Sequence, residues 1–526
     1  VAARAARVAT SEPVADFELL TVSDAAPMVW ADEGRAGWHR APARRRSGLR
    51  SGAAAIDNEH LTYGRDLHLS SRPTNPVART VAQPQGSGGG RPRRATTTNV
   101  AGDAFTRRDN MNTWTDRPSH RLWLHGETLR LLDFGRTAVP TTQGAGWLDD
   151  DGVVDPTRPV FTWITGRTAH VYALGHLLGV PGCRPVAERA VAALRTSLHD
   201  DEHGGWFASL APDGTPDPTK SAYAHAFVVL AASTATVAGL EGARALLDDA
   251  LTVLDTRFWE PRAGLSADGW DRTWTTLDPY RGVNANMHTV EALLAAGDAT
   301  GDTRWHERAA TIADRVVGWA AGNDWRVPEH FDAAWVPQPG LNADRPDDPF
   351  KPYGATVGHG LEWARLLLQV DAALPGRAAA PLAQAARELY DRAVTDGWQV
   401  DGAPGFVYTT DWAGAPVVHT RMHWVVAEAI GVAAALHQAT GEARYATDYT
   451  RWWDYAGEYL IDRARGSWHH ELDASNVPSR EVWPGKPDLY HAFQATLLPL
   501  LPLAPGLAVA VRDGLAAAEV RPVGGV

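Results

Sequence analysis

Two histidine–carboxylate pairs at helical spacing mark the chemistry this chain can do. His288 and Glu291 lie in Asn284-Ala-Asn-Met-His-Thr-Val-Glu-Ala, and His359 and Glu362 lie in Gly358-His-Gly-Leu-Glu-Trp-Ala-Arg. Residues three apart share one face of a helix, so each imidazole and its carboxylate point into the same space. A polar loop with Arg281 and Asn284 precedes the first pair. An imidazole beside a carboxylate suits proton transfer near neutral pH, and loop donors suit polar substrate groups. Two other chemistries use similar parts. Paired motifs can hold two metals in a helical bundle, although there the order is Glu-x-x-His with further carboxylates. Glu291 and Glu362 could also flank a glycosidic bond as acid and base, but the histidines would then be superfluous.

The two pairs belong to a larger pattern. Six apolar segments of helical length carry His170, His225, His288, His359, His423 and His491, at intervals of 55, 63, 71, 64 and 68 residues. Spacing of this size and regularity signals one supersecondary unit used repeatedly. Between these segments lie helices with one apolar face: Ser119 to Arg136, Pro185 to His199, Glu241 to Arg257, Thr303 to Ala321, Ala380 to Val394 and Glu442 to Arg463. Apolar helices alternating with amphipathic ones predict an inner ring inside an outer ring, an all-α (α/α)6 barrel.

The connections differ at the two ends of this barrel. Gly205-Trp-Phe-Ala-Ser-Leu, Gly405-Phe-Val-Tyr-Thr-Thr-Asp and Gly466-Ser-Trp-His-His-Glu-Leu-Asp read as small hairpins in long loops. Thr300-Gly-Asp and Thr440-Gly-Glu read as tight turns with a capping glycine. Function is expected at the long-loop end, with all six histidines at inner-helix N-termini there. Arg167, Lys220, Arg281, Arg421 and Lys486 precede or neighbour these positions, each as a loop ion pair or as a donor to sugar hydroxyls and a developing oxyanion. Trp163, Trp363 and Trp424 are the candidate walls.

Composition narrows the partners. A net charge of -12 argues against nucleic acid and acidic membrane surfaces. No stretch reaches the length of a membrane span. The single cysteine, Cys183, excludes an intrachain disulfide and a multi-thiolate zinc site. The 22 tryptophans are as compatible with sugar stacking as with core filling. A cytoplasmic protein, monomeric or homodimeric, is expected.

Taken together, Asn284-Ala-Asn-Met-His-Thr-Val-Glu-Ala, Gly358-His-Gly-Leu-Glu-Trp-Ala-Arg-Leu-Leu, Tyr223-Ala-His-Ala-Phe and Arg421-Met-His-Trp resemble the motifs of the N-acylglucosamine 2-epimerase superfamily, from about Ser119 to Pro502. The similarity is strongest to its mannose and sulfoquinovose isomerase branch. It implies an (α/α)6 barrel, as the repeats do, and a free monosaccharide substrate. It implies an acid/base pair at His288 and His423, and substrate contacts at Arg167, His225, Glu291, His359 and Glu362. Arg281, Asn284 and Trp363 complete the candidate contacts, with Arg167 and Arg281 facing the oxyanion. The implied reaction is aldose–ketose isomerisation, most simply of D-mannose and D-fructose, through a cis-enediol and with no cofactor or metal. A sugar 2-epimerase and a sulfoquinovose isomerase are the alternatives within the superfamily.

Residues 112–512 are the expected barrel and 513–526 a tail. Residues 1–111 contain Arg44-Arg-Arg-Ser-Gly and a Gly-rich, Arg-rich run from Gln85 to Arg94 without sustained periodicity, and are expected to be disordered or to lie upstream of the true start. A chain beginning at Met111 should therefore keep its thermal unfolding midpoint and its activity. A drop in either would assign the segment a structural part.

Overall fold

The computed structural model describes residues 113–140, 143–377 and 381–516. The expectation for residues 1–111 lies outside them. Thirteen α-helices follow in order: α1 (Pro118–Phe134), α2 (Thr162–Leu177), α3 (Cys183–Arg195), α4 (Ala222–Val237), α5 (Ala243–Val253), α6 (Val283–Thr300), α7 (Arg304–Ala321), α8 (Val357–Ala373), α9 (Leu382–Gly397), α10 (His423–Thr440), α11 (Ala443–Tyr455), α12 (Tyr490–Leu497) and α13 (Leu507–Arg512).

Burial separates them into two rings. In α4 every residue from Ala224 to Ala235 is buried, because apolar or small side chains face all directions. In α7 only a stripe through Trp305, Ala309, Ile312, Ala313, Val316 and Ala320 is buried, and charged residues fill the opposite face. Helices α2, α4, α6, α8, α10 and α12 form the inner ring, each against the next, and α12 returns to α2. Helices α3, α5, α7, α9, α11 and, from the other end of the chain, α1 form the outer ring. The architecture is the expected (α/α)6 barrel.

Tight turns close one end. Gly301 and Gly441 cap α6 and α10 at φ 73° and 72°, a left-handed conformation that disfavours a side chain. At the other end two-residue strands tie neighbouring repeats together. The residues entering an inner helix pair antiparallel with the loop that leads to the next: Val160 with Leu210, Lys220 with Trp270, Arg281 with Phe331, Ala355 with Thr410 and Arg421 with Leu472.

Three of these strands, and the segment that enters α12, each carry the cation of an ion pair. Lys220 bonds Asp200 at 2.8 Å, Arg281 holds Glu260 at 2.9 Å, Arg421 holds Asp401 at 2.6 Å and Lys486 bonds Asp462 at 2.8 Å. In each, the cation precedes an inner helix and the acid follows the preceding outer helix. The basic residues of the sequence pattern are thus loop clasps, Arg167 excepted. Truncating one partner strands a buried charge, which costs about 3–5 kcal/mol. Asp200→Ala should lower stability by about that amount, because Lys220 would lose its only carboxylate partner among the described residues; denaturant unfolding reads it.

Candidate active site

At the long-loop end a cavity opens among the inner helices, with about 730 Å³ of empty space when the solvent at its mouth is counted. Every inner helix contributes: α2 gives Trp163 and Arg167, α4 Tyr223, α6 Asn284 and His288, α8 His359 and Glu362, α10 His423 and Trp424, and α12 His491. Phe350, Tyr408, His470 and Trp483 come from the loops.

Helix positions explain which histidines converge. Those of α6, α8, α10 and α12 lie in the first turns, at the cavity. His170 does not. Its helix starts at Thr162, so the equivalent positions on α2 belong to Trp163 and Arg167, and His170 lies deeper along the axis. His225 begins α4 yet faces away from the cavity: its Nε2 accepts from the Trp206 backbone N–H, its Nδ1 faces the Ser221 carbonyl, and Phe258 and Trp274 cover the ring. Arg281 is also withheld, held by Glu260 and the carbonyls of Asp278 and Tyr280. Trp363 is fully buried in the apolar core, while Trp424 lines the cavity between His359 and His491. The expected contacts at His225, Arg281 and Trp363 are therefore not brought to the cavity, because packing and ion pairing use those side chains elsewhere.

The remaining imidazoles are oriented from behind. Glu329 accepts from His359 Nδ1 at 2.9 Å, and Glu428 accepts from His491 Nδ1 at 3.1 Å. Each bond fixes the proton on Nδ1 and leaves the Nε2 lone pair free. The His470 carbonyl does the same for His423 at 3.2 Å, and the two rings stack 3.8 Å apart. Burial and the neighbouring imidazoles His470 and His491 push His423 well below the usual histidine range. His288 is held down to about 4 by burial, against the upward pull of Glu291. Its Nδ1 lies 3.7 Å from Glu291 and 3.8 Å from Glu362, too far for a hydrogen bond.

Arg365 organises the floor. It bonds Glu428 at 2.7 Å, Gln369 at 3.1 Å and Glu362 at 3.4 Å. Burial and the charge of Glu428 push the Glu362 carboxyl well above the usual carboxylate range. Burial opposes ionisation of Glu428 too, but Arg365 and His491 outweigh it. For Glu291, burial is outweighed by His288, Arg365 and the Tyr490 hydroxyl, which donates to it. Two groups of metal-ligand type result, His288–Glu291–Glu362 and Glu362–Glu428–His491. The Arg365 guanidinium already supplies their positive charge, and Tyr490 and Gln494 satisfy both oxygens of Glu291.

Arg167 is the cation left facing the cavity. Asp488 accepts from it at 3.0 Å, Tyr223 lies at 3.0 Å, and the rings of Trp163, Phe227 and Tyr490 surround it. Sequence reasoning passed over Glu329, Glu428, Arg365 and Asp488. A signal was present for two of them: Glu428 is an isolated charge inside an apolar helix, and Arg365 stands one turn after Glu362 in another.

The profile of the N-acylglucosamine 2-epimerase (GlcNAc 2-epimerase) family matches residues 144–495. A D-mannose isomerase of Thermobifida fusca is 53% identical over 404 residues, 76% of this chain and 99% of the relative. A crystal structure of D-mannose isomerase superimposes with a TM-score of 0.68 at 28% identity, over 72% of this chain and 97% of that one. The cellobiose 2-epimerase of Spirochaeta thermophila DSM 6192 shares the fold, with a TM-score of 0.64 at 21% identity over 77% and 98% of the two chains. With the barrel, the cavity and these matches in hand, the chain belongs to the N-acylglucosamine 2-epimerase family.

Proposed function

We propose that this chain is an aldose–ketose isomerase that interconverts D-mannose and D-fructose by proton transfer through a cis-enediol. The observation that carries the reading is the pair of carboxylate-backed imidazoles, His359 on Glu329 and His491 on Glu428, lining one cavity. The 53% identity to a D-mannose isomerase supports the choice of sugar.

An open-chain aldose carries an acidic proton on C2, beside its carbonyl. A neutral imidazole removes that proton while an acid protonates O1, and the cis-enediol forms. Returning the carbon-bound proton to C1 while O2 loses its own gives the ketose. A base for this work must hold the proton it takes, and a carboxylate on the far nitrogen stabilises the imidazolium. Resemblance pairs His288 with His423, but hydrogen bonding favours His359 and His491. His423 has only a backbone carbonyl behind it and imidazoles around it, so a proton there is disfavoured. We assign the carbon-bound proton to one of the two carboxylate-backed rings and the oxygen-bound proton to the other, assisted by Glu362, whose carboxyl is pushed towards its protonated form by burial. Arg167 stabilises the negative charge on the enediolate oxygen, where a fixed cation in a dry site acts most strongly. His288, His423 and Asn284 contact the sugar hydroxyls and assist ring opening.

Proton NMR of D-mannose with the protein in D2O tests the reading. Fructose should appear with deuterium at C1. Formation of glucose alone would mean return of the proton to the other face of C2, and the isomerase assignment would fail. His359→Asn and His491→Asn should each lower kcat by about 10²–10⁴-fold. A larger loss in the Asn variants of His288 and His423 would restore the other pair.

Glu362 gives an independent check by pH. Its carboxyl binds a proton more tightly in the folded state than in the unfolded one, so its contribution to stability is complete at low pH and is lost as pH rises above the unfolded value. Glu362→Gln removes this dependence. The variant should gain on the wild type by up to about 1.4 kcal/mol per pH unit above roughly pH 4.5, read by denaturant unfolding across that range. A constant difference would mean that Glu362 is ionised in the folded protein.

A further inference from the structure

A second cavity, of about 630 Å³, lies on the same axis behind the first. His170, Thr234, Glu291, Asp298, Gln369 and Gln494 give it polar walls, and α13 with the segment before it covers the tight-turn end. It reaches the surface at the half-exposed Asp298 and Leu503.

One layer of side chains separates the two cavities. Glu291 borders the rear one, and His288 and Glu362 border the front one. Four buried atoms in and behind this layer have no hydrogen-bond partner within the protein: His288 Nδ1, Glu362 Oε2, Gln494 Oε1 and His170 Nε2. His170 is 2% exposed, and a 2.7 Å bond from its Nδ1 to Thr234 Oγ1 fixes its ring. Gln494 is 1% exposed and uses its amide nitrogen on Glu291, leaving its oxygen free. Buried polar atoms are satisfied by protein or by ordered water, and a polar cavity of this kind offers water its usual two to four partners.

We propose that the rear cavity holds a chain of ordered water, and that His288 and Glu291 pass protons between this water and the sugar oxygens in the front cavity. His170 and Gln494 are positioning residues for that chain. The proposal rests on the isomerase reading and extends it to ring opening. As the C1–O5 bond of the cyclic sugar breaks, neutral His288 gives its Nε2 proton to O5. The O1 proton leaves to a carboxylate-backed imidazole, and the C1 carbonyl forms. His288 takes a replacement proton at Nδ1 from the rear water, through Glu291 as the 3.7 Å gap between them closes, and remains neutral in the other tautomer; solvent at the Asp298 opening resupplies the water, so no hydroxide is left behind. Closure of the product ring returns both protons by the reverse steps. The relay recharges the ring-opening acid from behind, while sugar fills the front.

A crystal structure and solvent-isotope kinetics test this together. Electron density should place water within hydrogen-bond distance of His170 Nε2 and Gln494 Oε1. His170→Phe and Gln494→Leu should lower kcat roughly threefold to tenfold at unchanged KM, enlarge the solvent isotope effect, and regain rate in imidazole buffer. His170→Gln, whose amide can replace the ring nitrogen, should recover much of the loss and controls for folding. A dry rear cavity overturns the proposal, as does a wild-type kcat and isotope effect in the His170→Phe and Gln494→Leu variants. A wild type that never converts mannose would sink the isomerase reading and with it the proton role; the density would still decide whether the cavity is wet.

Discussion

One guanidinium governs the centre of this barrel. Arg365 lies on the axis among Glu291, Glu362 and Glu428, all buried. A single cation cannot balance three carboxylates where water is scarce, so one of them is pushed towards its protonated form. Position selects which. Glu428 has the 2.7 Å bond to Arg365 and an imidazole on its other oxygen, and Glu291 has Tyr490, Gln494 and His288. Glu362 has one long bond and an oxygen without a partner, so it is the one pushed towards its protonated form. The barrel thereby sets three carboxyls of one layer to different affinities for a proton, a division of labour set by charge balance rather than by residue type.

That layer also explains the orientation of the catalytic rings. Glu428 is ordered because Arg365 holds it, and it in turn orders His491. Loss of the guanidinium would therefore disturb an imidazole on another helix that it never touches. The equivalent support for His359 comes from outside the layer, from Glu329 in the loop before α8. The two rings are thus poised by different means, one through the axis and one through the loop end.

The architecture was legible because it repeats. Apolar and amphipathic helices alternate six times, and a rule that applies six times survives local irregularity. Helix ends were less readable: α5 and α11 finish in wider π-type turns at Leu254–Phe258 and Ala456–Leu460, which no turn residue announces. The site was legible in part. Histidine spacing located the cavity end, and Arg167, Asn284, His288, His359, Glu362 and His423 all line it. The same rule failed for His225, which sits at the equivalent place in the repeat but is turned towards Trp206, and for Arg281, whose partner Glu260 is distant in sequence. Whether a polar side chain faces the axis or an ion-pair partner depends on contacts between repeats. Single-helix periodicity carries no information about those contacts, and the same blindness hid Glu329.

The outer helix of the last repeat comes from the first stretch of the described chain. Helix α1 bonds across to it through Glu127 and Trp468 at 2.8 Å, Thr128 and Thr496 at 2.7 Å, and His120 and Tyr449 at 2.8 Å. The ring is thus sewn shut by its two ends, and its seam is the one junction that chain connectivity does not enforce. During synthesis α1 can dock on α2 through Leu132 and Tyr172, but its partners Tyr449, Trp468 and Thr496 arrive only with the sixth repeat, and only then can the ring close. Such a topology makes late closure the step at which a nascent chain is most exposed.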